Sequence, residues 1–100
     1  MRIIARSAIN EFLNSRSPYK DSKESLEAWY QHTLKADWST PAELKSQFKN
    51  ASVLRDGRVV FNIAGNKYRL VVWINYAYRV VYIRFIGTHE QYDSIDVQTI

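Results

Sequence analysis

From residue 58 onward the apolar positions recur with a period of about two, while between residues 7 and 48 they recur every three or four. The first pattern predicts strands and the second predicts helices. "RVVFNI", "KYRLVVWINY" and "RVVYIRFI" read as three strands, rich in Val, Ile, Tyr and Phe. "AGN" and "YAY" separate them. Gly65-Asn66, in the first joint, are residues that accept positive φ in a hairpin turn. "RDG", Arg55 to Gly57, marks a further turn after a short strand at "SVL".

Centring the hairpins on Gly65-Asn66 and Ala77-Tyr78 fixes an expected register. Asn62 then lies opposite Arg69, Leu70 opposite Phe85, Val72 opposite Ile83, and Ile74 opposite Val81. Val59 and Phe61 join that wholly apolar set, which is the expected core face. The other face carries Asn62, Arg69, Val71, Trp73, Tyr82 and Arg84, with Arg69 and Arg84 as diagonal neighbours.

The first half supplies the cover. "RIIA", Arg2 to Ala5, is a short β-branched edge strand. "SAINEFLNSR" follows as a helix with Ser7 as N-cap, and Pro18 ends it or marks the turn after it. "DSKESLEAWYQHTLKA" is the longest helix, with Asp21 and Glu24 at capping-box spacing. Its stripe is Leu26, Trp29, Tyr30 and Thr33. "STPAELKSQF" is a third helix, with a Thr40–Glu43 capping box, Pro41 at N1, and Leu44 and Phe48 facing inward. Helices followed by a run of strands make an α+β fold.

Composition narrows the class. One hundred residues, 46% hydrophobic, fit one domain spanning 1–100. No cysteine is present, so neither a disulfide framework nor a thiolate metal site is expected. "MRIIARSAINEF" has no uninterrupted apolar core of a signal peptide. No apolar stretch approaches the roughly 20 residues of a membrane span. A soluble cytoplasmic protein without membrane contact is the expectation. Net charge is +4, and its placement matters more. From Arg55 to His89 the cations are Arg55, Arg58, Lys67, Arg69, Arg79 and Arg84, against one acid, Asp56. That run is either ordinary solvated charge or an electropositive face for a polyanion.

The end of the last strand concentrates the chemistry. "YIRFIGTHEQYD" passes from apolar residues through Gly87-Thr88 to His89, Glu90, Tyr92 and Asp93. Histidine side chains have an ordinary pKa of about 6.5, so a His at position 89 suits proton transfer near neutral pH, the alternative being a His that only caps a strand end. Tyr92 shares a face with His89 if Thr88 caps a helical turn. It can donate to a phosphate, stack on a base or act as an acid, or simply close the rim of the core. Asp93 is a supporting group that orients His89 or pairs with an arginine; Glu90 is a second candidate partner for the arginines. Arg69 and Arg84 are suited to charge on a phosphate, because the guanidinium fork matches two of its oxygens. Lys67 is a third cation. Asn66 and Lys67 lie in a hairpin turn, which explains Asn66 by itself. Trp73 and Tyr82 either stack bases or lie under the apolar C-terminal tail of Ile95, Val97 and Ile100, and the tail is favoured. His89, Glu90 and Asp93 are metal-capable types, yet neighbours in sequence rarely converge on one ion and His32 sits on a helix, so no metal is expected.

"VVFNIAGNKYRLVVWINY" followed by "VVYIRFIGTHEQYD" resembles the HigB family of bacterial type II toxins, within the RelE-like ribosome-dependent mRNA interferases. The matching positions are Phe61-Asn62, Gly65-Asn66, Arg69, Ile83-Arg84, Thr88-His89 and Tyr92-Asp93, and the resemblance spans most of the chain after about residue 25. Gln91 stands where an acidic residue is common in the family. The resemblance implies an antiparallel sheet of about four strands flanked by N-terminal helices. It implies cleavage of mRNA in the ribosomal A site, without metal or cofactor, by attack of the 2′-hydroxyl. His89, Arg69, Arg84 and Tyr92 become the catalytic candidates, and Lys67, Asn66 and Asn62 the RNA-binding ones. A HigA-type antitoxin with a helix-turn-helix domain is the implied protein partner, and DNA is contacted only through it. The rival readings are a non-catalytic RNA- or ribosome-binding protein, and an interaction module on the same scaffold.

Overall fold

The computed structural model describes residues 1–15 and 21–100. The elements run β1 (Arg2–Ile4), α1 (Arg6–Ser15), α2 (Lys23–Lys35), α3 (Pro41–Gln47), β2 (Ser52–Val53), β3 (Arg58–Ile63), β4 (Tyr68–Asn75), β5 (Val80–Thr88) and α4 (His89–Asp93). The architecture is α+β, as expected. The sheet has five strands in the order β1-β5-β4-β3-β2. β1 lies parallel to β5, and every other pair is antiparallel. The sheet of about four antiparallel strands is thus extended by a parallel edge strand, the "RIIA" segment.

One face of the three central strands is dry. Val59, Phe61 and Ile63 of β3, Leu70, Val72 and Ile74 of β4, and Val81 of β5 are buried against Ile9, Phe12 and Leu13 of α1, Leu26 and Trp29 of α2, and Leu44 of α3. Each such side chain contributes about 1.5–3 kcal/mol of burial. That burial fixes the register, because a one-residue slip would carry the whole set into water. Within the predicted stripe of α2, Leu26, Trp29 and Thr33 are buried, while Tyr30 is half-buried beneath the Arg6 guanidinium, 4.8 Å from its ring centre.

Both hairpins pair as their turn residues predict, with Ile63 opposite Tyr68 and Asn75 opposite Val80. Ala64 and Gly65 take the left-handed conformation in the first turn, and Arg79 takes it in the second. Asn62 stands opposite Arg69, Val72 opposite Ile83 and Ile74 opposite Val81. The expected Leu70–Phe85 pair does not form. A β-bulge between Val71 and Val72 inserts one residue in β5, so Val71 faces Phe85 and Leu70 faces Ile86. Ile86 therefore packs on the core and Phe85 turns to the other face. Alternation alone cannot reveal such an insertion, because Phe85 and Ile86 are both apolar.

Two of the three predicted caps change. α1 begins at Arg6, which leaves Ser7 inside its first turn. Ser22, not Asp21, is the N-cap residue of α2. Thr40 does cap α3, accepting from the Glu43 N–H at 3.3 Å, while the Glu43 carboxylate reaches back to the Ser39 N–H at 3.1 Å. The turn read at Pro18 lies outside the described residues. On the outer face, Arg58 donates to the Ile100 main-chain oxygen at 2.9 and 3.1 Å, so the tail ends over β3. Trp73 is the strand partner of Arg58 and packs 5.2 Å from the ring of Tyr82. The Trp73 indole N–H donates to the Asp56 carbonyl at 2.6 Å, which ties this ring to the turn before β3. Among the described residues no helix is long and apolar enough to cross a membrane.

Gly57 closes the turn before β3 with φ +81°, and a Cβ there would come within 2.7 Å of the Ile74 carbonyl oxygen. Gly57→Ala is expected to cost about 1–3 kcal/mol and to lower the melting temperature by roughly 5–15 °C. An unchanged melting temperature would show that the turn relaxes freely.

Candidate active site

The β4–β5 ladder ends with Tyr68 opposite Thr88. One residue further, the His89 N–H donates to the Lys67 carbonyl at 3.1 Å. The chain then enters α4 through a complete capping box. Thr88 Oγ1 accepts from the Gln91 N–H at 3.1 Å, and Gln91 Oε1 accepts from the Thr88 N–H at 2.9 Å. This reciprocal pair satisfies donors that a short helix would otherwise leave open. Gly87 makes room for it: a Cβ there would lie 2.6 Å from Gln91 Oε1 and 2.6 Å from the Phe85 ring.

The turn brings His89, Tyr92 and Asp93 to one end of the sheet. The Arg69 guanidinium lies 6.0 Å from the centre of the Tyr92 ring, within cation–π range. Arg69 also donates to the carbonyls of Asn66 and Tyr68, at 3.0 and 3.3 Å. Those bonds aim the side chain while leaving part of the fork open. His89 Nε2 is 3.4 Å from an Asp93 carboxylate oxygen, one helical turn on. Asp93 therefore faces His89 and not an arginine. The side chains of His89 and Asp93 are 54% and 61% exposed, so a large substrate can reach them. Asn62 is exposed directly across the ladder from Arg69.

Two expected members stand apart. Arg84 is in the bulged stretch of β5, three residues from the Gly87 that faces Arg69, where the expected register made it two. It is exposed, and among the described residues no hydrogen bond or ion pair holds it. It lines a groove with Glu11 and Phe12 of α1 and with Gln91. Lys67 turns its side chain away from His89, to Asp21, at 3.2 Å. Asp21 also accepts from the Tyr68 hydroxyl at 2.5 Å, tying the start of α2 to β4. Asn66 contributes its carbonyl to Arg69 and so acts in the turn itself. His89, Glu90 and Asp93 do not converge: among the described residues no three His, Asp or Glu could hold a metal ion. Gln91 was readable from the T-x-x-Q spacing of a capping box, and the resemblance drew attention only to its departure from an acid.

The HigB_toxin family, described as the RelE-like toxic component of a toxin-antitoxin system, matches residues 22–95. The chain belongs to the HigB toxin family. The matched span includes every candidate residue from Asn62 to Asp93. The HigB relatives include the mRNA interferase HigB of Escherichia coli O6:H1, 26% identical over 97 residues, covering 95% of this chain and 91% of that protein. The mRNA interferase toxin HigB of Escherichia coli K12 is 28% identical over 95 residues, covering 93% and 88%. The mRNA interferase HigB of Shigella flexneri matches to the same extent.

The Asp21 carboxyl is held below the ordinary range for an aspartate, first by the Tyr68 hydroxyl and then by Lys67. A depressed folded pKa gives stabilisation that is complete above the ordinary value of about 3.9 and is lost as pH falls through the folded value. Asp21→Ala is therefore expected to melt below the parent at pH 7, with the gap closing in acid below about pH 3.9. An equal gap at both pH values would mean that Asp21 acts through packing, not charge.

Proposed function

We propose that this HigB-family toxin is an endoribonuclease that cleaves mRNA during translation, on the ribosome. The observation that carries this reading is the capped turn of α4, which sets an exposed His89–Asp93 pair and Tyr92 beside an aimed Arg69. The names of its HigB relatives as mRNA interferases support the same activity.

In this reading the RNA supplies its own nucleophile. A base removes the proton of the 2′-hydroxyl, and the 2′ oxygen forms a bond to the adjacent phosphorus. The bond from phosphorus to the 5′ oxygen breaks, and that oxygen takes a proton. The products are a 2′,3′-cyclic phosphate and a 5′-hydroxyl, and no metal is needed. His89 is the proton-transfer group, with Asp93 orienting its ring. Arg69 stabilises the charge that builds on the phosphate, and Tyr92 donates to it or stacks on a base. Arg84 reaches the RNA from the bulge. Asn62, Asn66 and Lys67 line the approach, Lys67 after leaving Asp21. The substrate completes its alignment on the ribosome, so free RNA is a poor substrate.

The protein partner in this reading is a HigA-type antitoxin with a helix-turn-helix domain. The pair represses its own operon, and DNA is touched only by the antitoxin. The toxin itself works in the bacterial cytoplasm.

Brief induction in bacteria followed by mapping of mRNA 5′ ends tests the activity. The parent chain is expected to create new ends bearing 5′-hydroxyls. His89→Ala and Arg69→Ala are each expected to lower cleavage by about 10²–10⁴-fold, and Arg84→Ala to lower it measurably. Unchanged cleavage in His89→Ala and Arg84→Ala would sink the catalytic assignment. Growth arrest without new ends would favour a non-catalytic ribosome-binding protein.

A further inference from the structure

The free edge of β3 has the features of a strand-docking site. β2 covers only Val59 and Val60 of that edge. The Leu54 N–H donates to the Arg58 carbonyl at 2.8 Å, so the main chain of Arg58 points toward β2. Strand alternation gives Val60 and Asn62 the same direction. Asn62 lies beyond the start of β2, and its main-chain N–H and C=O have no partner among the described residues. The usual protections of an edge are missing here: Phe61, Asn62 and Ile63 include no charge and no proline.

Beside that edge is a groove of about 390 Å³ between α2 and β3, lined by Ala28, Trp29, His32, Phe48, Phe61 and Ile63. Its aromatic wall is ordered. Phe48 packs edge-on against Phe61 at 5.0 Å and against His32 at 4.7 Å, and Trp29 packs against Phe61 at 5.5 Å. Trp29 is only 3% exposed, and its indole N–H has no acceptor among the described residues. A second depression continues past Phe48 to Lys49 and Asn50. Neither stretch is lined by a carboxylate, and Lys49 and His32 are the titratable groups along it.

We propose that this edge docks an extended segment of the antitoxin protein. The segment adds a strand to β3 by exchanging main-chain hydrogen bonds with Asn62. It buries one apolar side chain in the groove between α2 and β3, and it carries acidic residues alongside Lys49. An apolar, aromatic socket next to unpaired main chain fits a peptide strand. RNA would instead call for cations along its phosphates, and Lys49 stands alone there. The assignment rests on the toxin–antitoxin reading. It also gives that reading a geometry, because Asn62 is the strand partner of Arg69 and a docked strand would lie at the border of the candidate active site.

The test is amide hydrogen exchange on the full chain, free and in complex with the antitoxin encoded with it, together with Ala28→Trp. Ala28 is exposed on α2, and the larger side chain fills the groove from the outside. Complex formation is expected to slow exchange of the Asn62 amide by about tenfold or more. Ala28→Trp is expected to weaken the complex by at least about tenfold, while Ala28→Ser binds like the parent. A complex that leaves Asn62 exchange unchanged, or that tolerates Ala28→Trp, overturns the docking site but not the toxin–antitoxin reading. Failure to form any complex overturns both. Protection of Asn62 by a single-stranded oligoribonucleotide, and not by the antitoxin, makes the groove an RNA path and overturns the proposal.

Discussion

The hydrogen bond from the His89 N–H to the Lys67 carbonyl, 3.1 Å long, is the constraint on which the candidate site depends. It carries main-chain pairing one step past the end of the β4–β5 ladder. It thereby fixes where the chain leaves the sheet. The capping box of Thr88 and Gln91 takes over there, so the transition from strand to helix leaves few open donors. The backbone that carries the candidate groups of α4 is held by main-chain and capping bonds, and their side chains add only the His89–Asp93 and Arg69–Tyr92 contacts. His89 and Tyr92 consequently remain available to a substrate.

Packing on the core side sets the height of that junction. The dry face of β3, β4 and β5 fixes the register up to Ile83, and the bulge then shifts β5 by one residue. Without the shift, Gly87 would face Tyr68 and Thr88 would lie beyond it. With it, Gly87 falls opposite Arg69, where the absence of a side chain admits the Gln91 amide and the Phe85 ring. The bulge and the glycine therefore act together. The same insertion separates Arg84 from the other candidates and leaves it on the side of α1.

The basic run between Arg55 and His89 does not form one uniform face. Arg58 holds the Ile100 oxygen, Lys67 pairs with Asp21, and Arg79 pairs with Asp37 at 2.7 Å. The two ion pairs are exposed contacts of small energetic weight, and the Arg58 bonds to Ile100 are part-buried. They nonetheless decide which cations are free to meet an anion. Arg69 is aimed by neutral carbonyls, and a carbonyl leaves the guanidinium charge intact.

The sequence by itself determined the α+β class, the three long strands, both hairpin centres, the apolar stripe of α2 and the cap of α3. Each rests on local periodicity or on a short-range side-chain bond, and such terms are written in neighbouring residues. It also marked His89, Tyr92 and Arg69 as chemically apt, and the helical turn after Thr88 as their support. Only the tertiary structure decided the bulge in β5, the parallel seat of β1, the turn of Lys67 toward Asp21 and the separation of Arg84. Those features come from contacts between segments far apart in the chain. Asp21 caps no helix because Tyr68 and Lys67, more than 40 residues later, compete for its carboxylate. Phe85 and Ile86 are alike in hydrophobicity, and the space left between the sheet and its helices chooses which one faces the core.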